Sequence, residues 1–245
     1  MNGLVWLRSD LRIDDNPALS IADNECEKIV CLYLLSEEEW KTHNNANVKL
    51  DFIIQNLSNL SKDLKKLNIP LIAASIKNFD SIPNQIAEFS KSNSISKCYW
   101  NNEFGVDENI RDKNVIKALN EHKIEFQNFD DQVVFEPGTI LTGQGKPFSV
   151  FTPFKKKWIE NFSIDHLEIE SEISVKKNFN VINTFNDEIS FVQDHDVDMS
   201  LWPPGELAAK TRLENFLNHK VSNYSKDRND PILEGTSRIS PYLAI

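Results

Sequence analysis

The chain has 245 residues, of which 40% are hydrophobic and 26% are charged, and its formal net charge is −10 at pH 7. This composition is typical of a folded globular protein, and the length suits one large domain or about one and a half ordinary ones. No stretch reaches the roughly 18 apolar residues of a membrane span, and the first residues lack the basic start and apolar core of a signal peptide. We therefore expect a cytoplasmic protein with no membrane partner.

The charge is unevenly distributed. Residues 1–204 carry a net charge of −11, whereas residues 205–245 carry +1. An acidic surface disfavours nucleic acid, but the nearly neutral final segment leaves DNA binding possible. The cysteines are Cys26, Cys31 and Cys98. Their odd number and their positions in strand or helix patterns predict reduced thiols, and their spacing predicts no metal site.

Short apolar runs alternate with helical patterns over the first half of the chain. We predict strands at 3–7, 29–35, 71–74, 97–100 and 124–129, and helices after Pro17, at 48–67, near 82–89 and at 107–122. This alternation predicts an α/β fold, a doubly wound five-stranded parallel sheet ending near residue 131. Arg8, Asp10 and Arg12 follow the first strand, where we expect an ion pair or loop clamp. No glycine-rich fingerprint follows that strand, so we do not expect an ordinary NAD-type site, although the carboxyl ends of the strands can still form a ligand crevice.

The pattern loosens after residue 131. Residues 132–201 are rich in turns and polar residues and are interpreted as a long connector with one helix at 153–162. Phe148, Phe151, Phe154 and Trp158 could stack on nucleobases, but aromatic residues at this spacing more often form a packing face. A helix begins near Trp202, and its apolar residues need partners.

The stretch 224–243 has the features of a phosphate-binding loop. Gly235 would let the backbone approach a ligand, Ser240 would cap a helix and Pro241 would occupy its first position. Hydroxyls, free N–H groups and a helix start favour phosphate. An ordinary capped helix explains the same features.

Two separate segments carry a family resemblance. Tyr224, Arg228 and residues 235–240 (GTSRIS) resemble the flavin-binding entry of the DNA photolyase/cryptochrome family, and residues 4–19 (LVWLRSDLRIDDNPAL) resemble its opening. The resemblance runs from Gly3 to Ile245 in the same order. It implies a Rossmann-like antenna domain at 1–131, an interdomain connector at 132–201 and the beginning of an all-α FAD-binding domain at 202–245. It assigns Arg228 to the DNA backbone and the following residues to FAD: Tyr224, Thr236, Ser237, Arg238, Ile239 and Ser240.

In one large branch of that family the α/β domain carries a methenyltetrahydrofolate antenna. Residues 40–44 (WKTHN) and 106–108 (VDE) resemble the folate-contacting segments. The resemblance therefore assigns His43, Asp107 and Glu108 to the antenna, with Glu108 accepting from the amino groups of the pterin-like ring. By themselves, His43 would be a solvated loop residue and Glu108 a first-turn carboxylate favoured by the helix dipole. A deazaflavin antenna remains an alternative.

The chain as a whole resembles the front portion of the class I cyclobutane pyrimidine dimer photolyases. These enzymes repair DNA in light by electron transfer from reduced FAD to a dimer flipped out of the duplex. The resemblance implies FAD and folate as cofactors, dimer-containing DNA as partner and a monomer when complete. Because the catalytic residues are expected beyond Ile245, we expect a truncated chain that does not repair DNA alone. The alternatives are a cryptochrome-type blue-light receptor and a stand-alone antenna-binding module.

Overall fold

The computed structural model describes residues 1–167, 172–189 and 198–245. Five strands form one parallel sheet in the order β3-β2-β1-β4-β5. The predicted α/β fold is therefore confirmed, with strand boundaries shifted by one or two residues. The strands are β1 Asn2–Leu7, β2 Lys28–Ser36, β3 Leu71–Ile76, β4 Lys97–Asn101 and β5 Glu125–Phe129.

Helices cover both faces of this sheet, so each face has its own core. Leu19 and Leu57 pack with Val5 and Cys31 on one face, and Ile86 and Leu119 pack with Leu4 and Val30 on the other. Strands buried on both faces explain the continuous apolar runs in the sequence. The helices of this half are α1 Pro17–Glu25, α2 Glu37–Thr42, α3 Asn47–Lys66, α4 Ile82–Ser92 and α5 Val106–Glu121.

The expected clamp after β1 is present. Asp10 accepts hydrogen bonds from the Arg8 backbone N–H (2.6 Å) and from Asn101 Nδ2 (2.7 Å). Arg12 Nη2 lies 2.6 Å from Asp131 Oδ1. Asn16 caps α1 by accepting from the Leu19 N–H, as its position before Pro17 predicts. These bonds fix the loop that leaves the carboxyl end of β1.

Part of the predicted connector lies against the α/β half. Lys176 N donates to Leu67 O (2.8 Å), and Ile182 N donates to Asn93 Oδ1 (2.7 Å). Residue 188 then forms an antiparallel bridge with Ala74 of the edge strand β3. Backbone pairing with β3 protects an edge that would otherwise be open. Residues 168–171 and 190–197 of the connector lie outside the described residues.

The rest of the chain forms α6 Phe151–Asn161, α7 Glu206–His219, α8 Tyr224–Asp227 and α9 Ser240–Leu243. Aromatic residues in and beside α6 contact one another, with ring centroids 6.1 Å apart for Phe148–Phe154 and 5.1 Å for Trp158–Phe162. None of the α6 or α7 residues is buried. Over the described ranges, no helix combines the length and the apolar character needed to cross a membrane.

Two details of the 224–243 stretch differ from the predictions. Ser240 is the first residue of α9, and Ile239 is its N-cap, without a side-chain capping bond. Gly235 is buried against the Asp227 backbone, since a Cβ at Gly235 would lie 2.7 Å from the Asp227 carbonyl carbon. Gly235 therefore allows a close chain–chain approach. A helix of one turn also has too few aligned peptide dipoles for its start to bind phosphate by itself.

Candidate functional site

A crevice of about 180 Å³ opens at the carboxyl ends of β1 and β2. Arg8 and Ser9 follow β1, Ser36 ends β2 and Glu103 follows β4, and all four residues line the crevice. The strand order reverses at β1, so connections leave the sheet in opposite directions there. Ligands of open α/β sheets bind at such switch points.

Buried charges form the floor of the crevice. The guanidinium carbons of Arg8 and Arg111 lie 4.7 and 4.8 Å from the centre of the Trp6 ring. Both arginines also contact Asp112, at 2.7 Å from Arg8 and 2.8 Å from Arg111. Glu103 accepts from Arg111 Nη2 at 2.9 Å and from Ser9 Oγ at 2.6 Å. These bonds make the floor a rigid, charge-compensated surface.

The pKa of Glu103 reflects two opposing effects. Burial raises the pKa of this carboxyl, but the charges of Arg8 and Arg111, with hydrogen bonds from Ser9 and Arg111, outweigh burial and hold the pKa below its ordinary value. Glu103 therefore remains a carboxylate at neutral pH and compensates the charge of the neighbouring guanidiniums.

His43 and Glu108, two of the three residues assigned to the antenna, lie at the mouth of the crevice, and Asp107 lies beside His43. His43 Nε2 lies 3.4 Å from Glu39 Oε2, and one polar atom each of Glu39, His43 and Asp107 fall within 4.8 Å of one another. Glu39 and His43 are four residues apart around α2, which places them on one face. Glu108, in the first turn of α5, also lines the crevice. The structure thus brings His43, at the end of α2, together with Asp107 and Glu108 in the first turn of α5.

Gly105 gives Glu108 its position. A Cβ at Gly105 would lie 1.8 Å from Glu108 Oε2, so the carboxylate folds back over the glycine. Gly105 was not predicted from the sequence as a site residue, and neither were Glu39, Glu103 and Arg111. The i, i+4 spacing of Glu39 and His43 was a usable signal, whereas the contacts of Glu103 with Arg8 depend on the sheet order.

Two aromatic residues, Trp40 and Phe79, also line the crevice, and Lys49 Nζ lies 5.5 Å from the Trp40 ring centre. Aromatic side chains together with carboxylate acceptors suit a flat heterocycle with amino groups on one edge.

Three of the residues assigned to FAD line a second, larger cavity of about 900 Å³ between α3 and α7. These are Thr236, Ser237 and Arg238. Ile239 lines a neighbouring cleft with Arg12 and Asp131.

Tyr224 lies beside this cavity and Ser240 starts α9. The Tyr224 ring meets the ring of Phe216, a residue that lines the cavity, at a centroid distance of 5.8 Å. Arg228, assigned to DNA, is exposed, with its guanidinium 5.7 Å from the Tyr224 ring centre. An exposed arginine is free to reach a phosphate.

Comparison with known proteins identifies the same family over most of the chain. The family model described as DNA photolyase matches residues 3–172. The chain is 31% identical to a deoxyribodipyrimidine photo-lyase of Vibrio cholerae, over 99% of this chain and 52% of that protein. It is 30% identical to the Escherichia coli protein of the same name (98% and 51%) and 26% identical to cryptochrome-1 of Arabidopsis thaliana (98% and 35%). The chain spans about half the length of the photo-lyases it matches.

Solved structures share the fold. A class III photolyase from Agrobacterium tumefaciens superimposes with a TM-score of 0.76 at 23% identity, covering 98% of this chain and 49% of that one. A cryptochrome from Synechocystis gives a TM-score of 0.81 at 20% identity, covering 99% and 52%. At these identities the likeness concerns the fold alone.

Proposed function

The chain belongs to the DNA photolyase family, and on this premise we propose that it serves as the front half of a deoxyribodipyrimidine photo-lyase. The whole activity would be light-driven repair of cyclobutane pyrimidine dimers in DNA. The relatives named photo-lyase match at 28–31% identity and the cryptochrome at 26%, which supports photo-lyase over the cryptochrome alternative.

The single observation that carries this proposal is the crevice. His43 and Glu108 lie at its mouth and Asp107 lies beside His43, although these residues are up to 65 positions apart in the sequence, and the family resemblance assigns all three to one ligand. The carboxylates accept hydrogen bonds and therefore fit the amino-pyrimidine edge of a methenyltetrahydrofolate, and the Trp40 side chain fits its flat ring. Glu108 would hold the ring amino groups, and His43 would donate to the ligand.

The same proposal divides the chain at residues 131 and 201 into an antenna domain, a connector and the beginning of a flavin-binding domain. Thr236, Ser237 and Arg238 line one cavity and fit the phosphates of FAD. We include Tyr224, Ile239 and Ser240 in the flavin set and assign Arg228 to the DNA backbone. The buried, free thiols suit a reducing cytoplasm.

Reduced flavin, when bound, supplies the electron that splits the cyclobutane ring, and the antenna chromophore supplies light absorption. The role of this chain's residues is to bind and orient. The carboxylates at the crevice mouth orient the antenna, and the packed floor excludes water from beneath it. The hydroxyls of Thr236 and Ser237 and the guanidinium of Arg238 bind the phosphates of FAD.

A folate titration tests the proposal. Purified chain is titrated with 5,10-methenyltetrahydrofolate and followed by its near-ultraviolet absorption band, with released chromophore identified by mass spectrometry. We expect Glu108→Gln to weaken binding at least about fivefold, since a bidentate carboxylate contact with such an edge contributes about 1–3 kcal/mol. His43→Ala should weaken binding less.

Glu121→Gln is the matched control, because Glu121 is exposed at the other end of α5. If the Glu108 and Glu121 variants bind folate with equal affinity, the assignment of Glu108 to the site is wrong. No folate binding by the parent chain would contradict the folate antenna and leave the deazaflavin alternative.

A further inference from the structure

We propose that Glu39, His43 and Asp107 form a binding site for a divalent transition-metal ion, Zn²⁺ or a close chemical relative, at the mouth of the crevice. The metal site itself is independent of the antenna assignment. Its consequence, that a bound metal ion excludes folate, rests on the proposed function above, because His43 and Asp107 belong to both sites. Occupancy by a metal ion then limits how much antenna the chain carries.

The three side chains come close enough to bind one ion. One ligand atom of each lies within 4.8 Å of the other two, and His43 Nε2 and Glu39 Oε2 are 3.4 Å apart. Ligands that lie about 2.0–2.2 Å from a tetrahedral zinc ion are separated from each other by roughly 3.4 Å. The Glu39–His43 separation fits this value, and a rotation of the exposed Asp107 side chain covers the remaining difference.

Helix α2 sets the spacing of the first two ligands. Residues four apart lie on one face of a helix, which is the arrangement that zinc proteases use for their paired histidines. The His43 N–H donates to the Glu39 carbonyl oxygen at 3.0 Å, so the helical turn between the two residues is closed. Asp107 comes from the first turn of α5 and supplies the third ligand from a different element.

The charge of the two carboxylates is available to a cation. Asp107 forms no ion pair or hydrogen bond with any other described residue, and within the same ranges Glu39 forms an ion pair only with His43. An imidazole binds metal in its neutral form, so the ligand set carries two negative charges. A divalent cation neutralises both of them.

The ligand types select among cations. An imidazole with two carboxylates favours Zn²⁺ and its neighbours in the first transition series, whereas Mg²⁺ and Ca²⁺ prefer oxygen ligands alone. The Glu39 and His43 side chains are 28% and 57% exposed, so an ion enters from solvent and keeps water in its remaining position. Cys26, Cys31 and Cys98 are buried and do not compete for the ion.

A metal ion and folate compete for His43. The proposed antenna contact needs a hydrogen atom on the imidazole nitrogen that faces the ligand, whereas metal binding uses a nitrogen lone pair. We therefore expect bound Zn²⁺ to lower the affinity for folate. Bound folate should lower the affinity for Zn²⁺ by the same factor, because the coupling between two ligands is reciprocal.

Calorimetric titration of the full chain with Zn²⁺, in a weakly coordinating buffer without folate, tests the metal site. We expect Zn²⁺ to bind at one site and more tightly than Mg²⁺. His43→Ala and Glu39→Gln should each weaken Zn²⁺ binding at least about tenfold, since even the loss of a group that only orients a ligand costs about 10- to 100-fold. The matched controls are His122→Ala, at the exposed end of α5, and Glu38→Gln, the exposed neighbour of Glu39 on α2. Both controls should bind Zn²⁺ as the parent does.

Glu39 and Glu108 separate the metal site from the folate site. Glu39→Gln should weaken Zn²⁺ binding more than folate binding, because the antenna assignment does not include Glu39. Glu108→Gln should weaken folate binding more than Zn²⁺ binding, because Glu108 lies outside the three-residue cluster. The folate affinity of the parent is then measured with and without Zn²⁺, and we expect it to fall when Zn²⁺ is present.

Each failure has a distinct meaning. Equal Zn²⁺ affinity in the parent and in the Glu39 and His43 variants overturns the metal site, whatever the folate titration shows. Equal affinity for Zn²⁺ and Mg²⁺ also overturns it, since that result indicates a nonspecific acidic surface. A folate affinity that Zn²⁺ does not change overturns the competition. If the parent binds Zn²⁺ as expected but binds no folate, the metal site is supported and the folate antenna is contradicted.

Discussion

Single residues beneath the crevice determine how firmly its floor is held. Glu103 is bound to Arg111 at 2.9 Å and lies 3.8 Å from Arg8 Nε, and its side chain is only 16% exposed. Arg8 Nε has no hydrogen-bond partner within the described chain. The Glu103 charge therefore matters more than an exposed ion pair would, since little solvent screens it.

We expect Glu103→Gln to lower the free energy of unfolding by about 2 kcal/mol at pH 7, because two buried guanidiniums lose a carboxylate. The pKa of Glu103 is lower in the folded chain than its ordinary value of 4.5. Its stabilisation is therefore complete above pH 4.5 and is lost as the pH falls through the folded-state pKa. The difference in the free energy of unfolding between the parent and Glu103→Gln should therefore shrink as the pH falls below 4.5.

Urea unfolding followed by circular dichroism from pH 7 down to pH 3 measures this. Glu88→Gln serves as the control, since Glu88 is exposed on α4. A constant difference between parent and Glu103→Gln across the pH range would contradict the electrostatic explanation and indicate lost packing instead.

At the scale of elements, the contact between α3 and α7 joins the two halves of the chain. Asn59 donates to Pro204 O, and Asn56 accepts from Gly205 N. The Tyr242 hydroxyl donates to Pro203 O at 2.9 Å. Three hydrogen bonds from two different segments thus fix one turn. This turn sets the direction of α7 relative to the sheet.

Gly205→Ala should loosen that contact. Gly205 has φ +105° and ψ 155°, a region that is almost restricted to glycine, and a Cβ there would lie 3.2 Å from Asn59 Nδ2. We expect the amides of α7 to exchange about 5- to 30-fold faster, which corresponds to about 1–2 kcal/mol of local strain. Hydrogen exchange detected by mass spectrometry measures this.

Gly143→Ala is the matched control, because a Cβ at Gly143 meets no atom within 4 Å. The strands β1 to β5 should exchange at unchanged rates in both variants. Equal protection of α7 in the Gly205 variant and the parent would show that the turn does not hold this helix.

The sequence predicted elements well where each one is specified locally. Buried parallel strands are continuous apolar runs, and Asn16-Pro17 is a local start signal, so the sheet and α1 were both found. Glu103 escaped prediction because its partner Arg8 is about 100 residues away, and Arg111 because the Trp6 ring that it contacts is about as distant in the sequence. Ser240 was wrongly predicted as an N-cap because the one-turn α9 depends on tertiary contacts, such as Tyr242 against Phe52 at a centroid distance of 5.3 Å.

At the scale of the whole molecule, a well-packed α/β half contrasts with an open final segment. Leu207, Leu217 and Leu243 are 78%, 52% and 77% exposed. Large exposed apolar surfaces promote association, whereas the net charge of −10 opposes it through repulsion between copies. Salt screens the repulsion but leaves the apolar attraction.

We therefore expect this chain to self-associate at micromolar concentration, and more strongly at 0.5 M than at 0.05 M salt. The double variant Leu207→Lys with Leu217→Lys should shift the species distribution in sedimentation velocity towards the monomer, because both changes place charge on the apolar side of α7. Val175→Lys is the control, since Val175 is also exposed (65%) but lies in the segment along the sheet edge. If the control lowers association as much as the double variant does, added charge rather than the α7 surface explains the effect. A parent chain that stays monomeric at high salt would show that these leucines do not drive association.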